Sequence, residues 1–102
     1  MSRCTNTDLA GKPFHENIIQ AVWQMAALSR EFPPLRVDCF GALMFEHGYG
    51  ATSSKLGWEI DHRKPVLEGG GDGLENLQPL QWQNNRTKGD DWPLARHGKK
   101  PQ

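Results

Sequence analysis

The chain has no excess charge of either sign: 12 Lys and Arg balance 12 Asp and Glu over 102 residues. A neutral sum argues against a partner drawn in by long-range attraction to the whole molecule. Long apolar runs are also missing. Nothing approaches the ~18 residues that span a bilayer, so no membrane partner is expected. The first ten residues, MSRCTNTDLA, carry no apolar signal core, and the expected location is cytoplasmic. Cysteine is scarce and unpaired in sequence: Cys4 and Cys39 stand far apart and no CxxC occurs. Such residues read as free thiols, and two of them cannot complete a four-ligand zinc site. Repeats and low-complexity tracts are absent as well.

What is present suffices for one domain. The hydrophobic fraction is 36%, with four Trp and four Phe, enough to build a modest core. Residues 1–12 and 93–102 are polar or charged and are expected to be flexible. Residues 13–50 read as a supporting helix and strand. Ile18, Ile19, Val22, Trp23 and Ala26 form one apolar stripe, Pro13 suits a first turn, and Pro33-Pro34 forbids continuation, which predicts a helix over 13–30. Gly41 marks a turn, and a strand is expected over 42–46.

The order of elements is clearest over 57–90. Trp58 and Ile60 alternate with Glu59 and Asp61, as in a half-buried strand. Residues 68–73, EGGGDG, form a loop. Asp72 and Glu75 have capping-box spacing, which predicts a short helical turn at 73–76. Leu77–Leu80 suits a second short strand or a bridging segment. Residues 81–88 read as a helix that Gly89 ends. The fold class is therefore α+β: a strand–loop–strand–helix unit, an amphipathic N-terminal helix and an additional short strand or hairpin.

Singly, Asp61-His62, Pro65, Gly69-Gly70, Asn76-Leu77, Pro79-Leu80 and Asn85-Arg86 with Lys88 mean little. Their joint order and spacing over GWEIDHRKPVLEGGGDGLENLQPLQWQNNRTKGD resembles the HNH (His-Me finger, ββα-metal) endonuclease family. Asn85 stands where many members have a last His, an HNN variant. The likeness covers about a third of the chain. Many members also carry CxxC pairs that bind a structural zinc. The helix positions for one such pair are Gln81 and Asn84 here, so no structural zinc is expected, and packing by Trp58, Trp82 and the N-terminal helix should replace it.

The resemblance implies a divalent-metal-dependent endonuclease that hydrolyses phosphodiester bonds in DNA or RNA, leaving 5′-phosphate and 3′-hydroxyl ends. One site in a monomer or weak dimer should nick one strand at a time, with low sequence specificity. His62, Asn76 and Asn85 are the expected catalytic residues. An ordinary imidazole is mostly neutral near neutral pH and can activate water, its other nitrogen usually held by a backbone carbonyl. Asn76 is implied to brace the loop. Asp61 and Asn85 are the expected metal ligands, and oxygen donors of this kind suit one Mg²⁺ or Mn²⁺. Gln81, Asn85 and Lys88 share a helix face. Arg63, Lys64, Arg86 and Lys88 are the expected phosphate contacts, helped by the basic excess of residues 86–102. The alternatives are a nucleic-acid-binding module without catalysis and a structural module, both retaining the same fold. His15, His47 and His97 read as surface residues.

Overall fold

The computed structural model describes residues 4–92, and residues 93–102, expected to be flexible, lie outside them. The architecture is α+β, with two helices and two small antiparallel sheets. Helix α1 spans Glu16–Trp23, short of the helix expected over 13–30. It begins where the His15 ring nitrogen Nδ1 accepts the Asn17 N–H at 3.2 Å. Pro13 stays outside it, paired with Thr7 in a β-bridge. The helix stops early because Ala27–Leu28 is drawn into strand pairing: this β1 pairs with β2, Arg36–Val37, which pairs with β3, Leu43–Met44. Tertiary pairing has overridden a helical stripe. The strand expected over 42–46 is only those two residues of β3, because Glu46–Gly48 folds into a 3-10 turn.

Strand β4, Trp58–His62, and strand β5, Leu77–Gln81, form the second sheet. Their register sets Asp61 opposite Gln78 and Ile60 opposite Pro79. A proline is tolerated in β5 because Ile60 and Pro79 form a non-hydrogen-bonded pair, where no N–H is needed from residue 79; the Ile60 N–H likewise points outward, to the Asn6 side-chain oxygen at 2.8 Å. Helix α2, Trp82–Lys88, follows directly and packs on both strands. Its first turn is capped by Gln81, whose Oε1 accepts the N–H groups of Gln83 and Asn84 at 3.0 and 3.1 Å. Gly89 ends it.

Trp58, Ile60 and Leu77 meet Phe14, Val22, Trp23 and Met44 in the core. The Trp23 and Trp58 rings lie 5.2 Å apart, and the Trp58 indole N–H donates to the Glu46 carbonyl at 3.1 Å. The other side of β4 is not solvent, contrary to the half-buried reading. Glu59 and Asp61 are buried at 1% and 6% exposure, covered by α2.

Asp38 ties the two halves together. Its Oδ1 accepts the N–H groups of Phe40 and Ala42 at 3.0 and 2.9 Å, closing the turn at Gly41. Its Oδ2 accepts the Gln81 N–H and the Asn84 side-chain N–H, both at 3.0 Å. The two positions where a cysteine pair would stand thus converge on a carboxylate. Trp82 adds an indole N–H bond to the Ser54 carbonyl at 2.8 Å. Arg36 takes no part; it donates to the Ala26 carbonyl at 2.6 Å and lies over Trp23.

Candidate functional site

A cleft of about 480 Å³ opens at the end of β4. Asp61, His62, Asn85 and Arg86 line one side, and Cys4, Thr5, Asn6 and Thr7 line the other. The N-terminal segment expected to be loose is therefore a wall of the site from residue 4 onward. It is held by the Asn6 bond to β4 and by the Leu9 N–H, which meets both carboxylate oxygens of Asp72 at 3.0 Å.

Neighbours on a strand point to opposite faces. Asp61 accordingly turns to α2 and Gln78, while the His62 ring sits 5.9 Å from Phe14. Both still border the cleft because the strand ends there. The His62 Nε2 lies 2.8 Å from Asp72 Oδ1, and Nδ1 has no hydrogen bond among the described residues. A carboxylate thus takes the place expected for a backbone carbonyl. Asp72 does not cap the helical turn Leu74–Asn76: Gly73 stands at its start, without a side-chain cap bond. The turn is present, but the expected capping box is not.

Asn76 clamps the loop between the strands. Its Oδ1 accepts the Lys64 N–H at 2.8 Å, and its Nδ2 donates to the carbonyls of Lys64 and Gly71 at 3.1 and 2.9 Å. The Arg63 N–H adds a 2.7 Å bond to the Asn76 carbonyl. Two glycines permit this closure. Gly69 adopts φ +94°, and a Cβ at Gly70 would collide with the Lys64 carbonyl and crowd the Asn76 amide.

Beneath the cleft lie two buried carboxylates. Glu59 accepts from Arg86 at 3.1 and 2.8 Å and from the Asn85 Nδ2 at 2.8 Å. That fixes the Asn85 amide, leaving its Oδ1 as the atom able to meet a cation. Asp61 accepts the Lys88 ammonium at 3.1 Å on Oδ1 and the Gln78 amide at 2.9 Å on Oδ2. Burial pushes the Asp61 carboxyl up, against the opposing pull of Lys88 and Gln78. The Lys88 ammonium also lies 3.3 Å from the His62 carbonyl, and the side chain is 1% exposed, so its charge points inward. Arg86 stays half-exposed at the cleft rim. Arg63 borders a separate small pocket beside Cys39 and Gln78, and Lys64 is exposed on the loop.

Among the described residues, no three His, Cys, Asp or Glu side chains converge as a metal cage. Asp61 and Asn85 offer a smaller donor pair, one carboxylate and one amide oxygen. Each Asp61 oxygen keeps a further acceptor position beyond its one hydrogen bond, so an oxygen-seeking cation fits, opposed by the Lys88 charge. Cys4 and Cys39 are exposed free thiols, and His47, edge-on to Phe45 at 5.4 Å, lies away from the cleft. His97 lies outside the described residues.

Asp72 and Glu59 were missed by sequence reasoning. Asp72 carried a local capping signal that competed with its real role, and Glu59 carried the alternation signal of a solvent face. No protein-family model, curated protein or solved structure matches this chain. No helix among the described residues is long and apolar enough to cross a membrane.

Proposed function

We propose that this protein is a divalent-metal-dependent DNA endonuclease of the HNH kind, with β4, β5 and α2 as its ββα-metal unit. The observation that carries the reading is the meeting of Asp61, His62 and Asn85 on one cleft. His62 takes a proton from the attacking water through Nδ1, the nitrogen its neighbours leave unengaged. The water oxygen bonds to phosphorus, the bond from phosphorus to the 3′ oxygen breaks, and the leaving oxygen takes a proton from solvent water to become the 3′-hydroxyl. Asp61 and Asn85 would hold a Mg²⁺ or Mn²⁺ ion, which would supply Lewis-acid polarisation of the phosphate and counter-charge for the leaving oxygen. Arg86, at the rim, meets a phosphate directly. Lys64, exposed on the loop, extends the contact along the nucleic-acid strand, whereas Arg63 borders the separate pocket and is not assigned a phosphate, and Lys88 acts through Asp61. Asn76 holds the loop that carries Asp72. A single cleft of this kind cuts one strand per event.

Lys88 on Asp61 makes the cation site weak until a phosphate joins it, since the ammonium already offsets the carboxylate. The same pair would suit a binding module without catalysis, the second reading, because it satisfies Asp61 with no metal at all. Supercoiled plasmid incubated with Mg²⁺ or Mn²⁺ separates the two. The nuclease converts it to open circles, and His62→Ala lowers that rate by about 10²–10⁴-fold while DNA retention persists. Absence of open circles with every divalent ion tried, alongside salt-sensitive DNA retention, would establish the binding module instead.

A further inference from the structure

We propose that Asp72 is a positioning residue that fixes which ring nitrogen of His62 carries the proton, and that the N-terminal segment holds Asp72 in place for this purpose. A neutral imidazole has one N–H donor and one lone-pair acceptor. An ionised carboxylate only accepts. With Nε2 at 2.8 Å from Asp72 Oδ1, the ring proton belongs on Nε2 and the lone pair on Nδ1. A histidine without such a partner divides itself between two tautomers, and only one of them presents the lone pair on the required atom.

The carboxylate is placed from two sides. The Leu9 N–H, 63 residues away in sequence, meets both of its oxygens. The loop beneath it is clamped by Asn76 on the Gly71 carbonyl and by the Gly70 N–H on the Pro65 carbonyl at 2.9 Å. The Phe14 ring flanks the imidazole, whose side chain is 10% exposed, which limits its rotation. Phe14 and Leu9 belong to the same stretch of chain, so one segment supplies both the packing of the ring and the anchor of its partner. Asp72 touches no substrate in this scheme; it acts through His62.

The inference rests on the nuclease reading only for its catalytic consequence, so the test has a readout independent of cleavage. Two-bond ¹H–¹⁵N correlation of the uniformly labelled protein at about pH 8, where an ordinary imidazole is neutral, reports the tautomer of His62 directly. The Nε2–H form is expected in the unaltered protein. Asp72→Asn introduces an amide that can donate as well as accept, and the same spectrum should then show a mixture of both forms. Plasmid nicking by Asp72→Asn should fall at least about tenfold, as expected when a residue orienting a site histidine is lost. An Nδ1–H form in the unaltered protein would overturn the proposal with no substitution needed. So would an unchanged tautomer in Asp72→Asn whose backbone fingerprint is intact, or undiminished nicking by a variant whose tautomer has changed. If the tautomer moves as expected and neither protein nicks DNA, the positioning role stands and the nuclease reading falls.

Discussion

The two faces of β4 are held by different physics. Trp58 and Ile60 enter an apolar core with Phe14, Trp23 and Met44. Glu59 and Asp61 enter an equally buried layer under α2, built of ion pairs and amide hydrogen bonds. Burying a charge is costly unless it is paired, so the polar layer contributes little net stability however many bonds it makes. Its value is orientation: each member is fixed, and the cleft lies at its edge. The apolar face makes the strand stay; the charged face makes the site.

The apolar face should show the largest loss when broken. Trp58→Ala removes an indole buried to 1% exposure together with its bond to the Glu46 carbonyl. A loss of about 4 kcal/mol is expected in urea unfolding. For a domain of this size that is a large part of the total, and the variant should be partly unfolded at 37 °C. A loss under about 1 kcal/mol would mean that the polar layer, not the core, holds β4.

On the charged face, Lys88→Ala should cost about 3 kcal/mol, because it leaves the Asp61 carboxylate buried without its cation. The comparison becomes sharper with the double variant Asp61→Asn, Lys88→Met. It removes both charges, keeps an acceptor for Gln78 and fills the space of the lysine stem. Stability should return to within about 1 kcal/mol of the unaltered protein. Plasmid nicking should not return, because the carboxylate expected to hold the cation is gone. If both variants were equally unstable, the pair itself would be a net source of stability, and the two faces would differ less than their chemistry indicates.

That contrast explains what could be read in advance. Strand β4, the glycine loop and α2 were legible because each carries a local signal: alternation at 58–61, glycines at 69–71, Gly89 after the helix; β5 carries none of its own and could equally have been a bridging segment. The order and spacing of Asp61, His62, Asn76 and Asn85 singled these residues out, and Asp61, His62 and Asn85 border one cleft while Asn76 clamps the loop beside it. The small sheet was not, since a two-residue strand such as Ala27–Leu28 is defined by its partner 36–37 and leaves no periodicity of its own. Local rules also misled where a distant group won. Alternation made Glu59 and Asp61 look solvated because a strand cannot announce the helix that will cover it. Capping-box spacing assigned Asp72 to the helical turn, whereas His62 and the Leu9 N–H claim its oxygens. The polar start of the chain looked loose for the same reason: its anchors, Ile60 and Asp72, lie more than fifty residues on.

The smallest expected effect falls where the two faces meet. Tyr49 packs edge-on to Trp58 at 5.0 Å on the apolar side, yet its phenol also feels the charge of Glu59 across the strand. Burial first, then Glu59 and Glu16, pushes its pKa up to about 12. It is the only tyrosine in the chain, so ultraviolet absorbance of the phenolate reports it alone. Because the folded value lies above the ordinary value of about 10, the group favours the folded state fully below about pH 10. That contribution fades as the pH climbs through the folded value, a loss of roughly 1 kcal/mol for a half-buried side chain. Phenolate absorbance should therefore rise late and together with unfolding, while Tyr49→Phe should remove this alkaline step. Glu59→Gln separates the causes. If charge across the strand matters, the phenol titrates earlier in that variant; if burial alone sets it, the titration does not move, and the apolar face is indifferent to the charged one.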